Sequence, residues 1–283
     1  MRRSGLRPWG LALALLCAAA APVLAAPAPA APESPRHKPD WSKLPDWSGL
    51  WTLRGGTVFD RDSMEPKGAP AGAPFARERP PYNAAWEKKY QETIKHVADG
   101  TFPDPNSTCG TPAGFPRLFN MPDAYEFVVR PGQFWLVSEN GPNVMRVYTD
   151  GRGHPPADEI WDTYGGDSVG HWEGDTLVID TIGVKGDGYH IIDRTGLTTS
   201  NKLHGVTRMR LVSPGELQAV LTLTDPVAFT RPWVVTKYYD KYKDAEFRAY
   251  DYGCAENNRN PVGADGFTLT LGTDGKPIDK PRP

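Results

Sequence analysis

The stretch Ser168-Val169-Gly170-His171-Trp172-Glu173-Gly174-Asp175-Thr176-Leu177-Val178-Ile179-Asp180-Thr181 decides the fold. It reads as two short strands turned back on Glu173-Gly174-Asp175, because Leu177, Ile179 and Thr181 alternate with Thr176, Val178 and Asp180. Gly supplies a backbone that tolerates positive φ, and Asp can hydrogen-bond the main chain of a tight turn. The same rhythm continues on both sides. Strand signals at 125–130, 133–139, 144–149, 203–212, 216–224, 230–241 and 246–254 are separated by turn sequences such as Pro131-Gly132 and Asn140-Gly141-Pro142-Asn143. Strands at this spacing without intervening helices predict a mainly β, antiparallel meander, closed into a barrel or folded as a sandwich, with a lipocalin-like barrel preferred.

One principal helix is predicted at about 83–99. Pro80-Pro81 blocks helix upstream, Asn83 can cap, and Trp86, Tyr90, Ile94 and Val97 recur at helical spacing until Gly100. Residues 55–81, rich in Gly, Pro and Ala, read as a long surface excursion. Asp46-Trp47-Ser48-Gly49-Leu50-Trp51 leads into a first strand whose Trp can close a barrel floor.

The N-terminal 25 residues carry Arg2, Arg3 and Arg7 ahead of an apolar run ending on Val23-Leu24-Ala25, the pattern of a cleaved secretory signal. Residues 26–40 are a Pro/Ala linker that cannot bury apolar surface, and 41–283 read as a single β-rich domain. The expected location is the periplasm or the extracellular space. No later run of about 18 apolar residues offers a membrane span. A formal charge of −2 with both signs interspersed argues against nucleic acid as a partner.

No G-x-S-x-G, HExxH, P-loop or dinucleotide fingerprint is present, and no metal or cofactor is implied. The densest set of polar groups is the loop around His190, Asp193 and Arg194, which could supply a base, a tautomer-fixing carboxylate and an anion-binding guanidinium; it could equally be a braced loop. Long loops between paired strands gather at barrel ends, so Glu139, Arg146 and His154 are the other candidates for a site there. Glu139 and Arg146 flank a turn and could instead form a cross-strand ion pair. His37, His96 and His171 are read as solvated or structural, and His204 as facing outward.

Asp150-Gly151-Arg152, the 168–181 hairpin, Asp193-Arg194-Thr195-Gly196, Asp225-Pro226, Thr230-Arg231-Pro232-Trp233 and Tyr252-Gly253-Cys254-Ala255-Glu256 together resemble a large family of uncharacterised secreted bacterial proteins. The resemblance covers most of the chain after residue 40 and implies location more than reaction. Such chains commonly read D-R-x-G-x-x-H-S and L-x-x-x-E-R, where this one has Thr199 and Thr207 in place of the His and the Glu. Thr207 shares a face with Leu203, Met209 and Leu211, so the altered position is expected to point inward. The resulting expectation is a barrel that binds a small, apolar, aromatic or terpenoid molecule. Cofactor-free acid–base chemistry, as a lyase or isomerase, is one version; a non-catalytic carrier or envelope accessory protein is the alternative.

Loss of the signal removes Cys17 and leaves Cys109 and Cys254, either bridged or as two unpaired buried thiols. The bridge is the preferred reading for an oxidising compartment, and closing so long a loop would stabilise by about 2–5 kcal/mol. Non-reducing peptide mapping of exported protein should therefore recover the Cys109 and Cys254 peptides cross-linked; free thiols at both positions would refute the pairing.

Overall fold

The computed structural model describes residues 41–67, 77–98, 112–140, 143–186, 191–193, 196–244, 246–250, 253 and 276–277. Cys109 and Cys254, like the signal and linker at 1–40, lie outside the described residues. Nine strands form one closed barrel, each hydrogen-bonded to its sequence neighbours. They are β1 (Leu50–Leu53), β2 (Tyr125–Arg130), β3 (Gln133–Ser138), β4 (Asn143–Tyr148), β5 (Asp167–Glu173), β6 (Thr176–Ile182), β7 (His204–Ser213), β8 (Glu216–Thr224) and β9 (Trp233–Lys241). The ring closes where β9 pairs antiparallel with β1, through Trp51↔Lys241 and Leu53↔Tyr239. The fold is thus a lipocalin-like barrel carrying a single α-helix among the described residues.

The predicted hairpin is β5–β6, with Gly174 at φ +64 in the turn. One joint departs from the expected meander: β4 and β5 run parallel, touching at Tyr148↔Val169. The segment between them therefore leaves one end of the barrel and returns to the other, along the outside, where Arg152, Pro155 and Trp161 are exposed. Of the strand expected at 246–254, residues 251, 252 and 254 lie outside the described residues, and the described 246–250 and 253 belong to no ladder. Both edges of β9 are already taken, by β8 and β1, so no sheet edge is left for a tenth strand.

Antiparallel order puts the long connections, 54–124, 183–203 and 225–232, at one end, here called the upper end. The hairpins at 131–132, 174–175 and 214–215 lie at the lower end. The described parts of 55–81, which are 55–67 and 77–81, are only partly the surface excursion expected from composition. Val58, Phe59, Met64 and Glu78 are buried, and the Phe59 ring meets Trp233 edge-on at 5.2 Å.

The helix α1 (Ala84–Ala98) starts where Asn83 Oδ1 accepts the Trp86 amide at 3.1 Å. Its Trp86 and Tyr90 are buried in the main core, with Ile94 packed alongside.

The barrel interior is filled by its own aromatics. Tyr125 stacks on Phe127 at 5.8 Å, Phe127 on Phe134 at 6.4 Å, and Tyr239 meets Tyr125 and Phe127 edge-on at 5.1 and 5.0 Å. A short 3-10 turn, Arg117–Asn120, is wholly buried and reaches these rings. The Tyr239 hydroxyl donates to Phe119 O at 2.7 Å, and the Tyr125 hydroxyl lies 3.0 Å from Leu118 O. Phe115 seats this segment against β7, where a Cβ added at Gly205 would stand 2.3 Å from its ring. Gly205→Ala should therefore lower stability by about 1–3 kcal/mol through overpacking. Shortening the ring in the same chain, with Phe115→Leu, should return part of that loss, as read from denaturant midpoints.

Candidate functional site

A strand that lines a barrel should carry apolar residues in its inward phase. In β9 the inward series is Trp233, Val235, Lys237 and Tyr239, and the lysine is only 5% exposed. Lys237 Nζ donates to Val58 O and Phe59 O, both at 2.8 Å, so the β1–β2 connection folds over it. The same connection brings Glu78, 1% exposed, and Asp60, 7% exposed. Asp60 Oδ2 accepts the Trp233 indole N–H at 2.6 Å, while the Asp60 amide donates to Glu78 Oε1.

Asp193, 3% exposed, arrives from the other long loop and stands close enough to Glu78 for the two carboxyl groups to act on each other electrostatically. No N–H or hydroxyl of the described protein reaches Glu78 Oε2. Burial and a neighbouring carboxyl group both disfavour an ionised carboxylate. Desolvation first, then the repulsion of Asp193, push the Glu78 carboxyl well above the ordinary 4.5. Burial likewise lowers the Lys237 ammonium to about 8, although Glu78, Asp193 and Asp60 pull in the opposite sense. The upper end thus holds an acid of raised proton affinity, a second carboxyl group and a lysine of lowered proton affinity. This is the residue set of acid–base chemistry.

Thr199 and Thr207 are buried at 1% and 0% exposure, and neither Oγ1 has a hydrogen-bond partner. Thr207 points inward from β7, as its alternation with Met209 predicted. An unpaired buried hydroxyl costs about 1–3 kcal/mol.

The other candidates go elsewhere. His190 and Arg194 lie outside the described residues. Arg146 is exposed on the outer wall opposite Trp135, over whose ring it sits at 5.9 Å; the β3–β4 register keeps it away from Glu139, so no ion pair spans that turn. Glu139 accepts the Ala124 and Tyr250 amides at 3.3 and 2.8 Å and so ties two chain segments together. His154, on the outer crossover, contacts Asp167 Oδ1 at 2.5 Å and Asp180 Oδ1 at 3.2 Å, and His204 reaches the same Asp180 oxygen at 2.9 Å. That chain binds the crossover to the outer wall of β5–β7 and does not join Asp193. His171 is exposed beside Glu173, at 3.2 Å. Among the described residues no group of His, Cys, Asp and Glu is arranged to hold a metal ion, and no helix is long and apolar enough to cross a membrane.

Of the residues in this buried cluster, the sequence reading named Asp193 and not Glu78, Asp60 or Lys237. The signal for Lys237 was present, a charge in the apolar phase of Trp233-x-Val235-x-Lys237-x-Tyr239. Nothing local marked Glu78.

No protein-family model matches the chain, and no curated protein matches it at a significant level.

The buried acid makes stability depend on pH. In the unfolded chain Glu78 releases its proton near 4.5, whereas the folded state holds it to a much higher pH. Its contribution is therefore complete below about 4.5 and declines as pH rises, by up to about 1.4 kcal/mol per pH unit. Lys237 acts in reverse between about 8 and 10.5, where the folded state has already lost a proton that the unfolded state still binds. Chemical denaturation across pH 5–8 should show the decline in the unaltered chain, and Glu78→Gln, which cannot ionise, should flatten it.

Proposed function

We propose that this chain is an exported enzyme that moves protons on a small, apolar, aromatic or terpenoid molecule without a cofactor, as a lyase or isomerase. The observation that carries the reading is the pair of buried carboxyl groups, Glu78 and Asp193, beside the buried Lys237, in which burial and the repulsion of Asp193 raise the proton affinity of Glu78. Isomerisation and elimination both take a proton from one atom and return one to another, so they need an acid and a base side by side. Glu78 serves as the donor and Asp193 as the acceptor. The unpartnered Thr199 and Thr207 hydroxyls support a substrate that carries an oxygen. Export to the periplasm or beyond, and kinship with the secreted bacterial family whose motifs the chain resembles, belong to the same proposal.

A second reading is a non-catalytic carrier or envelope accessory protein. It is favoured by the aromatic filling of the barrel and by the two carbonyls that engage Lys237, which would make the polar cluster an internal brace.

Incubation of the mature protein with aromatic and terpenoid compounds, followed by mass spectrometry, separates the two. The enzyme reading expects conversion of at least one compound, reduced by about 100-fold or more in Glu78→Gln and in Asp193→Asn without a lowered melting temperature. Binding without conversion, equal in all three proteins, would establish the carrier reading instead.

A further inference from the structure

We infer that Lys237 is a nucleophile, forming an imine with an aldehyde or ketone group of the substrate. The inference rests on the enzyme reading of the upper end and narrows its substrate class to carbonyl compounds.

The geometry of the nitrogen is the starting point. A neutral amine has two N–H bonds and one lone pair, and Nζ has two main-chain carbonyls, Val58 O and Phe59 O, each at 2.8 Å. Those two acceptors take up both N–H bonds of the neutral form and leave its lone pair uncommitted and held in a fixed direction. The side chain is inside the barrel, and among the described residues it is the one buried lysine. An ammonium in that position would lack the hydration it needs, which is why its proton affinity falls to about 8. At neutral pH this gives a neutral fraction roughly 300-fold above that of a lysine titrating at 10.5.

The neighbouring carboxyl groups complete the reaction. Attack of the Lys237 lone pair on the carbonyl carbon forms a C–N bond and opens the C=O π bond. The carbonyl oxygen takes a proton from Glu78, and the nitrogen gives one up to the carboxyl pair, yielding a carbinolamine. A second protonation of that oxygen lets the C–O bond break with loss of water, leaving a protonated imine. The positive nitrogen then acidifies the adjacent C–H, whose proton passes to Asp193 to give an enamine. In a β,γ-unsaturated carbonyl compound this enamine is a dienamine; reprotonation at its γ carbon and hydrolysis, which consumes the water released earlier, return Lys237 and the conjugated isomer. Nothing is oxidised or reduced, so no co-reactant is required.

The test uses the full exported chain, benzaldehyde as the probe, and sodium cyanoborohydride to reduce any imine to a stable amine, with peptide mapping at limiting probe. The expected result is a benzylated Lys237 at pH 7, formed at least tenfold faster than the adduct at each exposed lysine such as Lys241 or Lys243, and absent in Lys237→Met. Labelling confined to the exposed lysines of the folded protein, or reaching Lys237 only after denaturation, overturns the inference. If Lys237→Met does not fold, the map of the unaltered chain decides alone. A failure here that leaves conversion sensitive to Glu78→Gln removes the imine while the acid–base reading stands; loss of both the adduct and any conversion removes the two together.

Discussion

Closure of the β1–β9 seam is the constraint from which the rest of this architecture follows. Strand directions can alternate around a closed ring only if the number of strands is even, and this ring has nine. At least one joint must therefore be parallel, and it is the β4–β5 joint. A parallel neighbour cannot be reached by a tight turn, so the chain crosses the outside of the barrel between residue 148 and residue 167. The His154 contacts with Asp167 and Asp180 hold that crossover down. A histidine that looked like a site candidate thus serves the topology.

The same ordering separates the two ends chemically. The lower end is closed by two-residue hairpins, while the upper end receives three long connections, two of which bring the buried carboxyl groups. Between them the interior is packed with aromatic rings. An open groove of about 750 Å³ at the lower end, lined by Trp51, Leu211, Gly215 and Lys241 among others, shares no residue with the carboxyl cluster.

Much of the barrel was legible because strand periodicity is local. The hairpin at 168–181, the Asn83 cap and the inward phase of Thr207 all depend on residues within a few positions of one another, and the structure has each of them. The parallel joint depends on the parity of the whole ring, which no window of sequence contains. The site was half legible for the same reason. Asp193 stands in a loop whose length and polarity mark it, but its partner Glu78 is 115 residues away in a segment whose Gly, Pro and Ala content resembles surface loop. Glu139 and Arg146 failed as a pair because turn-flanking position does not fix the register, which sets Arg146 opposite Trp135.

Lys237 bears on why the cluster exists at all. As a stabilising device, a lysine among buried carboxyl groups is poor, since desolvation of the ions consumes much of what their attraction returns, and an apolar replacement of similar volume is often neutral or better. The neighbours of Lys237 in the inward phase, Val235 and Tyr239, show that this strand accommodates apolar side chains on both sides of it. A methionine would fill the same space without any charge to desolvate. The carboxyl pair has the same character, because Glu78 stays protonated through burial and repulsion that a neutral glutamine would not have to bear. Packing alone therefore gives no account of these three ionisable groups, whereas proton transfer requires groups of this kind, held out of water and close enough to set one another's proton affinity.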